Sequence, residues 1–185
     1  MQPPAHQPFV RTLARALRRQ GAATLRFNFR GVGTSRGQFA GGKGEAEDAG
    51  AALRALAERF PDTPLWMVGF SFGAFAGLRA AALDSGVCRL AAVAPPVDWY
   101  DFSFLEAERR PVLIAQGGRD EVVDPDSVRR FRARMERGPE WLWFPEADHF
   151  FTDCLSEMST RLAERLAAPG PMEAGAASCN VTRSL

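Results

Sequence analysis

The sequence predicts an α/β fold with a mostly parallel sheet in three layers, and three observations carry that expectation. Strand-type and helix-period segments alternate along the chain. Most of the strand-type segments are short apolar runs, the mark of strands covered on both faces. Of the 185 residues, 46% are hydrophobic, enough to bury a core on each side of a sheet. Strands joined through helices make right-handed crossovers and come out parallel, with helices above and below.

The elements follow in order. Phe9, Val10, Leu13, Ala14 and Leu17 repeat at helical spacing and stop at Gly21. "ATLRFNF" reads as a strand and runs into the glycine-rich "RGVGTSRGQFAGGKG". Ala46, Ala49, Leu53, Leu56, Ala57 and Phe60 stripe a second helix, ended by Pro61. "LWMVGF" is a strand and "FGAFAGLRAAAL" a helix. "CRLAAVAP" and "PVLIAQG" are further strands, Val128 to Met135 a helix, and "EWLWFP" a last strand. Leu155, Met158, Leu162 and Leu166 stripe the last helix. One domain over residues 1–167 is expected, followed by a polar, disordered tail over 168–185.

Composition removes several function classes. A net charge of +1 argues against nucleic acid and polybasic membrane partners. No apolar run reaches the roughly 20 residues of a membrane span, and "MQPPAHQPFV" lacks a signal-peptide pattern. Cys88, Cys154 and Cys179 are widely spaced, so no metal site is read from them. They are expected as reduced thiols, which points to a cytoplasmic location.

The chemistry concentrates where strands end at their carboxyl edge. Ser71 follows "LWMVGF" within Gly69-Phe70-Ser71-Phe72-Gly73, a G-x-S-x-G match in strand–turn–helix context. That context makes Ser71 a candidate nucleophile. The structural alternative is a helix N-cap serine. A serine hydroxyl needs a base to take its proton. Of the two histidines, His6 precedes the first helix without an evident partner, whereas His149 follows the last strand in "FPEADHFF". A carboxylate must then fix the imidazole tautomer. "QGGRDEVVDPDSV" offers Asp120, Glu121, Asp124 and Asp126, of which Asp120 lies nearest the strand end and Asp126 reads as a cap. Asp148, adjacent to the histidine, is expected to point elsewhere. The order Ser71, Asp120, His149 is that of the α/β-hydrolase triad. Trp99, Tyr100, Phe102 and Phe104 cluster after "CRLAAVAP" and are candidate pocket walls. Gly31 and Gly33 could begin a dinucleotide fingerprint, but no third glycine or helix start falls at the required spacing. A loop bending beside the active site is the plainer reading.

The stretches "ATLRFNFRGVGTSRGQF", "PLWMVGFSFGAF", "APPVDWYDFSFL", "QGGRDEVV" and "EADHFF" together resemble small bacterial α/β-hydrolase-superfamily proteins. These are predicted hydrolases related to dienelactone hydrolases and small serine esterases. The resemblance implies the α/β-hydrolase fold and a triad of Ser71, Asp120 and His149, with serine where dienelactone hydrolases carry cysteine. Phe72 N–H is then one oxyanion donor. The implied activity is hydrolysis of a small-molecule ester or thioester without a cofactor. The alternative is a hydrolase-like scaffold that binds a metabolite or partner without turnover. The family also carries strands before the first helix that this chain lacks, so the fold is expected to be truncated at its N-terminus. In the implied strand order, 1-2-4-3-5-6-7-8, the absent third strand belongs between "ATLRFNF" and "LWMVGF", which must pair directly if the sheet is to stay closed. The absent loop also supplies the second oxyanion donor, so a weak or inactive chain is expected.

Overall fold

The computed structural model describes residues 6–168. The expected tail therefore lies almost wholly outside the described residues. Four strands form one parallel sheet: β1 (Leu65–Phe70), β2 (Val87–Val93), β3 (Val112–Gly117) and β4 (Glu140–Phe144), in the spatial order β1-β2-β3-β4. Each strand pairs in parallel with the next, Met67 opposite Leu90, Ala91 opposite Leu113 and Ile114 opposite Trp141. All six residues of β3 are buried, as a strand sandwiched between helical layers requires.

Among the described residues five α-helices cover the sheet: α1 (His6–Arg19), α2 (Lys43–Arg59), α3 (Phe72–Ala82), α4 (Pro125–Arg134) and α5 (Leu155–Ala167). On one face, α1 and α5 pack together through Phe9, Leu13, Met158 and Leu162 over Ala91, Val93, Leu113 and Ala115. On the other, α2, α3 and α4 bury Leu53, Leu78, Val128 and Phe131 over Leu90, Ala92 and Ile114. A three-layer α/β architecture is thus present, with α1, α2 and α5 where the apolar stripes placed them.

Two arginines secure the ends of helices. Arg89, buried on β2, donates to the carbonyls of Leu166 and Arg165 and so caps α5. Burial pushes its guanidinium pKa down, opposed by attraction to Glu140. Arg110 donates to the carbonyls of Ala81, Asp84 and Val87, pinning the turn after α3.

The first expected strand is corrected. "ATLRFNF" joins no sheet, and among the described residues the N–H groups of Ala23–Phe29 have no hydrogen-bond partner. A strand exists only against a neighbour, and here none lies within reach. A cavity of about 760 Å³ separates the segment from β1. The direct pairing needed to close the sheet does not occur. What holds the segment is side-chain chemistry at its end. Arg30 donates from its backbone N–H and its guanidinium to Asp48 on α2, and that pairing holds the Asp48 carboxyl below the usual range despite partial burial.

Cys154 is a free thiol, and Cys179 lies outside the described residues. Among the described residues no helix is long and apolar enough to cross a membrane.

Phe9 ties the outer layer to the sheet. It is 1% exposed and stacks on Phe70 of β1, ring centroids 4.0 Å apart. Phe9→Ala is expected to cost about 3–5 kcal/mol, read from the urea unfolding midpoint. Leu83→Ala, at a residue 90% exposed, should change stability by no more than about 0.5 kcal/mol.

Candidate active site

One residue makes the whole turn from β1 to α3. The strand ends at Phe70, the helix begins at Phe72, and Ser71 between them has φ 50° and ψ −126°. A left-handed φ at a non-glycine residue is strained and persists only where the surroundings enforce it. Gly69 supplies that enforcement. A Cβ there would lie 2.4 Å from both Ala74 Cα and the Gly73 carbonyl oxygen, so strand and helix meet backbone to backbone. By contrast, a Cβ at Gly73 would meet nothing within 4 Å. Ser71 N–H donates to the Val93 carbonyl at 2.8 Å, which anchors the turn to the end of β2.

The Ser71 side chain makes no capping hydrogen bond to α3, which removes the N-cap alternative. Its Oγ lies 3.2 Å from His149 Nε2. Phe72 N–H, at the first position of α3, is one of the donors that a helix start leaves without an intrahelical partner.

His149 and Asp120 meet because the loops after β3 and β4 are laid on one another. Gly118 N–H donates to Phe144 O at 2.8 Å, and Arg119 N–H to Ala147 O at 2.9 Å. The approach is too close for side chains. A Cβ at Gly117 would lie 2.4 Å from Ala147 O, and one at Gly118 2.3 Å from Pro145 O. His149 Nδ1 then stands 2.9 Å from Asp120 Oδ2 and 3.0 Å from Oδ1. Both residues are buried, and the rings of Phe70 and Phe150 flank the imidazole at 5.0 and 5.1 Å.

Burial by itself pushes the Asp120 carboxyl up. The hydrogen bond from His149 and those from the N–H groups of Val123 and Val122 outweigh it and hold the carboxyl below the usual range. A further donor, Gln116 Nε2, lies 2.9 Å from Oδ2. Gln116 escaped the sequence reading, although a glutamine inside the apolar strand "PVLIAQG" was a signal. A fully buried polar side chain must have a partner, and here it is the site carboxylate.

The other carboxylates have separate work. Asp124, not Asp126, caps α4, accepting from the N–H groups of Asp126 and Ser127. Asp126 pairs with Arg129 on the surface. Asp148 turns to the N–H and hydroxyl of Thr152, away from the imidazole beside it.

The aromatic run is placed differently from expectation. Phe102 is 3% exposed in the core beside Phe75 and Phe131, Tyr100 stacks on Phe75 at 4.6 Å, Phe104 packs on the same cluster, and Trp99 is 63% exposed. None of the four lines the cavity that opens onto Ser71 and His149. Its aromatic walls are Phe27, Phe29, Phe39, Phe70, Phe72 and Phe150. The reason lies in α3, whose Phe75 draws the run beneath the helix while the glycine-rich loop brings Phe39 to within 5.6 Å of Phe72. That loop does bend beside the site. The start of α2 is no pyrophosphate seat, because Glu45 already accepts from Gly42 and Ala40 N–H at 2.8 Å each.

Comparison with known proteins places the fold. The family model described as serine aminopeptidase, S33, matches residues 5–106. An α/β serine hydrolase homologue from Coxiella burnetii is 40% identical, with a TM-score of 0.81, over 85% of this chain and 76% of that one. A lid-free α/β serine hydrolase from Xanthomonas campestris is 37% identical, with a TM-score of 0.81, over 90% of this chain and 77% of its own. An uncharacterized protein of Rickettsia prowazekii is 36% identical over 155 residues, and the chain spans 65% of its length. With half of its length inside that family model and two solved relatives near 40% identity, the chain belongs to the α/β serine hydrolases.

Proposed function

We propose that Ser71, His149 and Asp120 are the nucleophile, the general base and the orienting carboxylate of a hydrolase for small ester or thioester substrates. The observation that carries this reading is the relay itself: Oγ to Nε2 at 3.2 Å and Nδ1 to carboxylate at 2.9 Å, at the carboxyl edge of the sheet. Asp120 accepts a hydrogen bond from Nδ1–H, so Nε2 is left as the lone-pair nitrogen facing Ser71. Nε2 takes the hydroxyl proton as Oγ attacks the substrate carbonyl carbon. Phe72 N–H holds the resulting oxyanion. The imidazolium returns its proton to the leaving oxygen or sulfur, giving an acyl-serine. His149 then deprotonates a water that attacks the acyl carbon, and Ser71 regains its proton as the acid departs. Buried among aromatic rings, the imidazolium draws its stabilisation from the ionised Asp120.

Hydrolysis of p-nitrophenyl acetate is expected, and Ser71→Ala should reduce it by at least about a thousandfold. A fluorophosphonate probe should add its mass to Ser71. A folded chain that takes up no label would be a scaffold without turnover, and the enzymatic reading would fail.

Asp120→Asn should lower kcat by about 10⁴ while leaving the fold intact, because the amide favours the wrong imidazole tautomer. Steady-state kinetics beside a circular dichroism spectrum checks both halves.

Acid stability supplies a separate test. With its pKa lowered in the folded state, Asp120 stabilises the fold above its unfolded-state value of about 3.9. That contribution disappears as the pH falls through the lower folded-state value. The urea midpoint of Asp120→Asn should therefore decline less steeply below about pH 4 than that of the wild type.

A further inference from the structure

We infer that a small hollow between α1 and α5 is a binding site for a phosphate group. It shares no lining residue with the cavity at Ser71. Thr12, Arg15 and Arg19 reach it from α1, three and four residues apart and so on one helix face. Ser156, Ser159 and Thr160 reach it from α5 with the same kind of spacing. The remaining lining residue is Ala16, 7% exposed, whose methyl leaves open a space that a longer side chain would fill. No carboxylate lines the hollow. Glu157, next to Ser156 in sequence, is bound to Arg161 at 3.2 Å.

Two features of this lining are costly as they stand. The Ser159 hydroxyl is fully buried without a hydrogen-bond partner among the described residues, a state that protein interiors seldom tolerate. Arg15 and Arg19 put like charges one helical turn apart, and among the described residues neither guanidinium meets a carboxylate. An anion with several acceptor oxygens relieves both. Guanidinium groups donate to phosphate oxygens in parallel pairs, and the hydroxyls of the opposing helix donate to the oxygens left over. Donors arriving from two helices suit a tetrahedral group, whose oxygens point in several directions, better than a planar carboxylate. Size agrees as well. The hollow of about 70 Å³ is the room of roughly two waters, enough for one phosphate group and too little for a base or a sugar. Bound there, the group ties α1 to α5, and α1 carries the Phe9 ring that stacks on Phe70 beside the serine turn.

Inorganic phosphate, titrated into the full chain at constant ionic strength, should saturably shift the amide resonances of Ala16 and Ser159 and raise the thermal unfolding midpoint. Acetate should do neither. Arg15→Gln and Arg19→Gln, at exposed positions, should each weaken phosphate binding by about tenfold. Arg18→Gln, also exposed on α1 but outside the hollow, should change it by no more than about twofold. Ser159→Ala separates a binding role from a structural one. It should weaken phosphate binding by about tenfold, yet leave the midpoint in phosphate-free buffer unchanged or higher, since the hydroxyl it removes has no partner to lose. Glycerol 3-phosphate tests the source of the group: tighter binding than inorganic phosphate makes it an ester, weaker binding the free ion, and either outcome supports the site. Ser71→Ala should bind phosphate as the wild type does, so failure here leaves the catalytic reading standing. The proposal is overturned if no saturable shift appears, if acetate acts equally well, or if Arg18→Gln weakens binding as much as Arg15→Gln. It is overturned too if Ser159→Ala lowers the phosphate-free midpoint without changing the affinity.

Discussion

Backbone packed against backbone is the constraint from which the site follows. At Gly69 the end of β1 touches the first turn of α3 so closely that no Cβ fits, and Ser71 is forced to a left-handed φ with its hydroxyl out at the sheet edge. The same device recurs at Gly117 and Gly118, where the loops after β3 and β4 lie on each other. The first contact presents the serine. The second draws Asp120 and His149, 29 residues apart, into one hydrogen bond. Because both contacts are steric, they hold the relay before any substrate arrives, and preorganisation of that kind is what positions a proton for transfer.

Polar groups buried at the site are compensated in a particular order. An ionised carboxylate in a dry environment is expensive, and Asp120 meets that cost with four donors: two backbone N–H groups, the imidazole and Gln116. Gln116 supplies one of the donors while its own Oε1 is left buried without a partner. The compensation is concentrated on the charged group, where desolvation costs most. Around this polar line the rings of Phe70 and Phe150 keep the imidazole dry, and α1 supports them from below through the stack of Phe9 on Phe70.

Among the described residues β1 and β4 are the two edge strands of the sheet. β2 and β3 are sealed between two helical layers, and the outer edge of β1 faces a cavity that reaches Ser71. The extended segment beyond the cavity is held by Arg30 and Asp48 rather than by a ladder. The nucleophile thus sits at the end of a strand that is only half paired. The aromatic rings of Phe27, Phe29 and Phe39 line that same cavity.

Sequence by itself determined every element whose signal is local. Helical stripes placed α1, α2 and α5, the segments "FGAFAGLRAAAL" and Val128 to Met135 read as the helices α3 and α4, apolar runs placed four strands, and G-x-S-x-G in strand–turn–helix context located the serine turn. The order of serine, aspartate and histidine singled out Asp120 and His149. Tertiary structure decided whatever depends on a partner. "ATLRFNF" has the composition of a strand but forms none, since a ladder is a property of two segments and no described segment pairs with it. The aromatic run from Trp99 to Phe104 went mostly into the core because Phe75 of α3 stood ready to stack on it, leaving the pocket wall to phenylalanines from the extended segment and the loop after it. Asp124 rather than Asp126 became the cap because its carboxylate, one residue ahead of Pro125, faces the free N–H groups of α4. Periodicity and turn chemistry are written along the chain. Which edge, ring or donor lies opposite is set by distances between segments that one-dimensional order does not contain.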